Sequence, residues 1–156
     1  MSMIVNRRDI DFYLYELLDL EGLLKNDRYK EHDRDTVTAI LDLAQQIAEE
    51  AFLPCAAELD EHEPVFEAGR AVTPDSLKAC LKTFIEAGLP AATFDASLGG
   101  MQLPMLVDNC MQGIFQAANG SPVRYIFLNT SKAHLLEARG SDALRARDLP
   151  PLVEGR

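Results

Sequence analysis

The sequence predicts an all-α fold of five to six helices, arranged as an orthogonal or up-down bundle. Apolar residues recur at helical spacing along most of the 156 residues. No stretch shows the strict alternation that is typical of strands, and glycine, proline and asparagine separate the helical segments by short connections. The 47% apolar content is enough for a chain of this length to form a real core. We therefore expect helices that pack on helices.

The first predicted helix spans residues 9–20, and its apolar stripe consists of Ile10, Tyr13, Leu14, Leu17 and Leu18. A longer helical pattern begins near residue 37 and continues past Pro54 to Leu59. Because proline lacks a backbone N–H, we expect this helix to kink or restart at Pro54. The acidic segment that follows predicts a loop through Gly69.

The third predicted helix has the clearest boundaries. Thr73 suits the N-cap, Pro74 the first helical position and Gly88 the left-handed residue after the last turn. Residues 89–103 contain Pro90 and a pair of glycines. We expect them to form a long connection with at most short extended pieces.

Three further helices complete the prediction. One spans residues 104–118, and the next begins with Ser121 as N-cap and Pro122 at the first position and ends at Gly140. Ser141 or Asp142 then caps a short basic helix to residue 148. The two prolines at 150–151 are expected to end regular structure.

Charge and hydropathy exclude several classes of function. The chain has 25 acidic and 15 basic residues, a formal net charge of −10, so we expect no nucleic-acid partner. Its longest uncharged run, residues 109–123, is shorter than the roughly 20 apolar residues that a membrane span needs. No apolar signal segment follows the charged N-terminus, and we expect a cytoplasmic protein without a membrane span.

No self-contained catalytic or metal site is predicted. The cysteines at 55, 80 and 110 are widely spaced within apolar patterns, which indicates buried, reduced thiols. The histidines at 32, 62 and 134 have no partner at ligand spacing, and the Glu-x-x-His pattern of di-metal bundles does not occur. Ser131 and His134 share a helical face, but this spacing more often reflects incidental surface proximity than a catalytic pair.

The order of motifs resembles the N-terminal domain of acyl-CoA dehydrogenases over residues 34–156. The resemblance rests on the Pro54 helix ending Ala-Ala-Glu-Leu-Asp, on Glu-Ala-Gly-Leu-Pro-Ala at 86–91 and on Leu-Gly-Gly-Met-Gln-Leu at 98–103. The Ala-Arg-Gly-Ser stretch at 138–141 and Leu-Pro-Pro-Leu-Val-Glu-Gly at 149–155 continue it. The family's next glycine after the Gly pair is replaced here. Residues 1–33 then form an N-terminal extension with one amphipathic helix, similar to that of the branch containing 3-methylmercaptopropionyl-CoA dehydrogenases.

The resemblance implies a flavoenzyme that removes the α-proton of an acyl-CoA thioester with a base and transfers the β-hydride to FAD. Its β-domain, C-terminal helical domain, flavin site and catalytic base would lie outside this chain, which is then a piece that is inactive alone and has no catalytic, cofactor-binding or metal-binding residue. Electron-transfer flavoprotein would accept the electrons, and a homo-oligomer is expected.

The resemblance also implies a site in this chain. Ungapped spacing from the Gly pair places the family's acyl-pocket positions at Val123, Arg124, Phe127 and Ser131. Phe127 would set acyl-chain length or shape, or alternatively pack in the core. Two other functions stay open: a stand-alone helical module that binds a protein partner, and an acyl-CoA-binding protein without redox chemistry.

Overall fold

Helices make up about three quarters of residues 4–156, the part of the chain that the computed structural model describes. The first helix, α1, spans Arg7–Asp11 and widens into a π-helical turn over Phe12–Leu17. Asp19 then takes a left-handed conformation with φ 48° and caps α2 at Leu20–Leu24. A 3-10 turn at Asp27–Tyr29 leads to the main bundle.

The wide turn corrects the apolar stripe predicted for the first helix. In the π-helical turn the Leu18 N–H donates to the carbonyl of Tyr13, five residues back, at 3.0 Å. Residues beyond this turn therefore leave the face that a 3.6-residue period gives them. Leu14 is buried, whereas Tyr13, Leu17 and Leu18 are about half exposed.

The long second helix restarts at proline, as predicted. Helix α3 spans Arg34–Ile47 and begins with a capping box, in which the Asp33 carboxylate accepts from the Thr36 N–H. It continues as a π-helical turn at Ala48–Phe52, a 3-10 turn at Leu53–Cys55 and α4 at Ala56–Glu61.

The segment predicted as a loop after α4 contains a short hairpin. Strand β1 spans Val65–Glu67 and pairs antiparallel with β2 at Arg70–Val72. Ala68 and Gly69 between them both have positive φ, the signature of a two-residue type I′ turn. Sequence periodicity did not reveal this hairpin because each strand has only three residues and the turn contains only one glycine.

Helix α5 spans Asp75–Glu86 and begins one residue later than predicted, with Pro74 rather than Thr73 at the N-cap position. Gly88 is left-handed after its last turn, with φ 74°, which confirms the predicted end.

Helices α6 at Met105–Ala118 and α7 at Gly120–Arg139 are separated by Asn119 alone. The Asn119 side chain accepts a hydrogen bond from the Ser121 N–H and donates one to the carbonyl of Phe52. It therefore caps α7 and connects it to the π-helical turn that follows α3. The prediction of Ser121 as N-cap is wrong because Asn119 takes this role two residues earlier. Helix α7 ends at Gly140 as predicted.

Helix α8 spans Asp142–Val153 and continues through both prolines, against the prediction that it stops at residue 148. Its Ser141 cap agrees with the prediction. Three side chains of its last turns, Leu149, Leu152 and Val153, are buried in a small apolar cluster with Phe94 and Ala133. This burial offsets the two helical hydrogen bonds that the prolines cannot donate.

The main core lies between α2, α3, α5, α6 and the inner side of α7. Phe115 is at its centre, with its ring centroid 4.8 Å from that of Phe52 and 5.3 Å from that of Phe84. The second, smaller core lies under α8.

The three cysteines are free thiols. Cys55 and Cys80 are buried and Cys110 is half-buried. Burial, and then the neighbouring Cys55, raises the pKa of Cys80 to about 12.

Residues 89–103 form the predicted long connection between helices, and they contribute to both cores. They fold into 3-10 turns at Leu89–Ala91 and Ala96–Leu98, and their backbone closes on itself around Gly100. A Cβ at Gly100 would lie 2.0 Å from the carbonyl oxygen of Phe94. The segment can reach this close approach only with glycine at that position.

A polar cluster lies where α6, α7 and this segment meet. The His134 ring stacks on Phe94 at 4.2 Å, and its Nε2 shares a 2.9 Å hydrogen bond with the Thr93 hydroxyl. Its Nδ1 lies 3.4 Å from the Glu137 carboxylate. Burial raises the pKa of Asp108 in the same cluster, against the opposing effects of a hydrogen bond to Gln112 and the charge of His134.

We expect Gly100→Ala to lower the free energy of unfolding by about 2 kcal/mol or more, because the methyl group would displace backbone rather than a flexible side chain. Gly113→Ala is the matched control. A Cβ at Gly113 meets open space, so alanine should stabilise the exposed helix by up to about 1 kcal/mol. Urea denaturation measures both; an equal response of the two variants would contradict the close approach.

We expect Asp108→Asn to stabilise the chain at neutral pH. A carboxyl whose pKa is raised on folding contributes stability below its ordinary value of 3.8, and this contribution is lost as the pH rises through the raised pKa. The advantage of the variant over the wild type should therefore be largest at pH 7 and vanish below the ordinary pKa. Urea denaturation across this pH range checks it, and an advantage independent of pH would contradict it.

Candidate functional site

Helix α7 presents the predicted site residues on two sides. Val123 is 6% exposed and packs mainly in the core, while its remaining surface lies on the groove described below. Arg124 and Ser131 are exposed, and Phe127 is 62% exposed. Phe127 therefore does not pack in the core, which removes the alternative that the sequence left open for it.

A groove of about 450 Å³ runs between α6 and α7 and brings three of the four predicted residues together. Val123, Arg124 and Phe127 form its α7 wall. The wall from α6 consists of Gln112, Gly113 and Gln116. Ser131 lies one turn beyond Phe127 on α7 and does not line the groove.

Sequence reasoning missed the α6 wall. Gln112 and Gln116 lie at i and i+4 and so share one helical face, which was a readable signal, and Gly113 lies at the edge of this face. The sequence did not show which helix packs beside this face. The single-residue connection at Asn119 places the face next to Phe127 of α7. Gly113 leaves the groove open, since a Cβ there meets nothing within 4 Å.

The serine–histidine pair of α7 is not brought together as a catalytic pair. His134 is engaged by Thr93, Phe94 and Glu137 as described above. The other histidines also have structural partners: His32 donates to the carbonyl of Met101 at 2.7 Å, and His62 to that of Glu58 at 3.1 Å.

Arg124 is the charged group of the groove. Most arginines in the chain hold a carboxylate, for example Arg7 with Asp42 at 2.6 Å and Arg145 with Asp142 at 2.6 Å. Within residues 4–156 no ion pair or hydrogen bond involves the Arg124 guanidinium. Asp60 lines an adjoining depression that Arg124 also borders, without pairing with it.

A second, smaller cavity of about 210 Å³ lies between α5, α7 and the C-terminal turn. Its lining is mainly apolar, with Leu81, Phe84 and Ile126 among the wall residues. No Asp, Glu, Lys, Arg or His side chain is part of this wall, so it offers no charged group for catalysis.

The glycine pair at 99–100 does not have the geometry of a phosphate-binding loop for FAD. The glycine pair at 99–100 would be the candidate for a phosphate loop, but both backbone N–H groups donate within the segment, to the carbonyls of Ala96 and Asp95 at 3.0 Å. The glycine at 100 serves the close approach to Phe94 instead. Residues 4–156 also hold no cluster of three or more metal-ligating side chains. No helix in this range is long and apolar enough to cross a bilayer.

Comparison with known proteins places this helical arrangement in a family. The family model described as acyl-CoA dehydrogenase, N-terminal domain, matches residues 34–156. The chain is 28% identical to a butyryl-CoA dehydrogenase of Syntrophomonas wolfei, over 95% of this chain and 25% of that protein. It is also 28% identical to the 3-methylmercaptopropionyl-CoA dehydrogenase of Ruegeria pomeroyi, over 96% of this chain and 25% of that protein.

A third relative is a broad-specificity linear acyl-CoA dehydrogenase of Mycobacterium tuberculosis, 31% identical over 65% of this chain and 17% of that protein. The chain thus spans about a quarter of the length of the first two relatives. The family match covers most of the chain, and the all-helical fold agrees with it. The chain belongs to the acyl-CoA dehydrogenase family and corresponds to the N-terminal domain of these flavoprotein oxidoreductases.

Proposed function

We propose that this chain acts within an FAD-dependent enzyme that introduces an α,β double bond into an acyl-CoA thioester. In this enzyme the groove between α6 and α7 forms part of the wall around the acyl chain. The observation that carries the proposal is the exposed Phe127 beside a groove whose α6 wall is kept open by Gly113. An exposed phenyl ring next to free volume is suited to an apolar ligand.

The exposed surface of α7 supports the same assignment. Leu128 and Leu135 are 66% and 63% exposed and lie seven residues apart, so they share one side of the helix next to Phe127. Large apolar side chains exposed together mark surfaces that another domain or a ligand covers. The β-domain and C-terminal helical domain of the whole protein are the proposed cover.

The part of this chain in the reaction is positioning. We assign it no catalytic residue, because none of the residues that line the groove is an Asp, Glu or His that could act as a base. A wall of Val123 and Phe127 would exclude water from the acyl chain and hold it in one direction, which lowers the entropic cost of reaching the reactive geometry. FAD and the base that removes the α-proton would come from other domains, and this chain alone would be inactive.

The whole protein would then bind an acyl-CoA as substrate and pass electrons to electron-transfer flavoprotein. A homo-oligomer in the cytoplasm is the proposed form, since the apolar side of α7 favours burial between domains or subunits. Nucleic acid is not a proposed partner, because the net charge of −10 repels a phosphate backbone.

We expect Phe127→Ala to change substrate preference and leave stability nearly unchanged. The exposed ring adds little to the core, so the free energy of unfolding should change by about 0.5 kcal/mol or less. The widened groove should shift the ratio of kcat/KM between long and short acyl-CoA thioesters by about tenfold or more. The measurement is the rate of flavin reduction across a series of acyl-chain lengths in the flavoprotein that contains this domain.

Phe115→Ala is the matched control for loss of a phenyl ring. Phe115 is fully buried, so this variant should lose about 3–5 kcal/mol of stability. A Phe127→Ala variant with unchanged chain-length preference would show that Phe127 is not part of the acyl pocket.

Two other outcomes would favour the alternative functions. Stoichiometric capture of a protein by a native form without enzyme activity would favour the helical interaction module. Saturable acyl-CoA binding without any flavin would favour the non-redox acyl-CoA-binding protein.

A further inference from the structure

The α6–α7 groove has an apolar side and a cationic end. Phe127 and Val123 form the apolar side, whereas Arg124 lies on the same wall, three residues before Phe127. Residues at i and i+3 are neighbours on a helix surface, so the guanidinium and the phenyl ring face the same space. A ligand that lies along Phe127 therefore ends near a positive charge.

The guanidinium has no partner within the described part of the chain. Neither neighbour at helical spacing on its N-terminal side, Gly120 or Ser121, is acidic, and Asp60 in the adjoining depression forms no salt bridge with it. Arg70 and Arg139 also form no salt bridge within residues 4–156, but Arg124 is the arginine that lines the groove. Seven arginines elsewhere hold carboxylates at salt-bridge distance.

A second polar group faces the groove near Arg124. The side chain of Gln116 lies over the first residue of α7, where its Nε2 would be 2.5 Å from a Cβ at Gly120. It takes part in no hydrogen bond within residues 4–156 and lines the groove from α6. Its amide and the guanidinium together offer several N–H donors to one ligand.

Covering this groove makes the unpaired charge costly. When another domain or a ligand displaces water from a guanidinium, its charge loses solvation and needs an acceptor in return. A hydrocarbon chain ending in a methyl group brings no acceptor. A carboxylate does, and it matches the guanidinium in a bidentate geometry.

We propose that the groove accepts an acyl chain whose distal end carries a carboxylate, so that the substrate class is a dicarboxylic acyl-CoA thioester. This inference rests on the proposed dehydrogenase function. The methylene segment lies along Phe127 and Val123, and the terminal carboxylate accepts hydrogen bonds from Arg124. Gln116 donates to the same carboxylate. Arg124 is in this scheme a specificity-determining residue that does not touch the reacting carbons.

The test compares two thioesters of equal length in the flavoprotein that contains this domain: adipoyl-CoA, with a terminal carboxylate, and hexanoyl-CoA, with a methyl end. Calorimetry gives the Kd of each, and bleaching of the flavin absorbance gives the rate of reduction. We expect the wild type to bind adipoyl-CoA several-fold more tightly. Arg124→Gln should raise the Kd of adipoyl-CoA by about tenfold or more and change the Kd of hexanoyl-CoA by about twofold or less.

Two further variants separate the role of Arg124 from general effects of charge. Arg139→Gln removes one positive charge from the exposed end of α7, far along the helix from the groove, and should leave the ratio of the two Kd values unchanged. Arg124→Lys keeps the charge but loses the bidentate geometry, so it should retain part of the preference. Because Arg124 is exposed, these variants should fold as the wild type does, which their thermal midpoints check.

Each alternative outcome is decisive. Equal binding of both thioesters with no effect of Arg124→Gln overturns the dicarboxylic substrate while the dehydrogenase function stands. If Arg124→Gln weakens the binding of adipoyl-CoA, hexanoyl-CoA and free CoA equally, the arginine binds a CoA phosphate, which also overturns the inference. Absence of flavin reduction by every thioester overturns the dehydrogenase function itself, and the inference with it.

Discussion

The close approach of Gly100 to the Phe94 carbonyl is the constraint on which the arrangement of α7 depends. It folds residues 89–103 tightly enough that Phe94 can stack on His134 of α7 while its other side contacts the cluster under α8. The same segment contributes Leu89 and Leu103 to the main core. Helix α7 is therefore fixed from its inner side by two cores at once, and its outer side stays free of this chain.

That division of α7 explains why its residues have separate roles. Pro122, Val123, Ile126 and Ala133 are buried and hold the helix in place. Arg124, Phe127 and Leu128 are exposed and contribute little to the core. A change on the outer side would therefore reshape the groove without a large effect on folding. In the proposed function, this separation would let substrate preference vary on a constant scaffold.

The predictable parts of the fold are those set by local chemistry. Gly88 ends α5 because glycine takes a left-handed conformation at low cost, and Ser141 caps α8 through its hydroxyl; both are readable from the residue types alone. The wrong predictions share a different cause. The π-helical turn after α1 and the passage of α8 through Pro150 both depend on which side chains other elements bury, and that information is not local.

The candidate site shows the same limit. The four α7 positions came from a family resemblance, and the periodicity of α7 alone could not tell whether Phe127 faced the core or solvent, since an apolar residue at helical spacing fits both. The polar residues of the groove were harder to predict from the sequence. Glutamines at 112 and 116 resemble ordinary surface residues until the structure places α6 against α7. A lone asparagine connection makes that placement, with its amide bonded to Phe52 in a third element.

The electrostatics of the groove follow from this geometry rather than from composition. An acidic chain satisfies most of its arginines with nearby carboxylates, and the net charge of −10 would favour the same for Arg124. Its position in the first turns of α7, next to the Asn119 connection, places it in a groove whose other lining residues are uncharged. A cation kept free of internal partners beside an apolar wall retains its full capacity to bind an external acceptor. The cost of leaving it unpaired is small while water reaches it and would rise if another domain covered the groove. In the proposed function, the covered groove would therefore favour ligands that bring a negative charge.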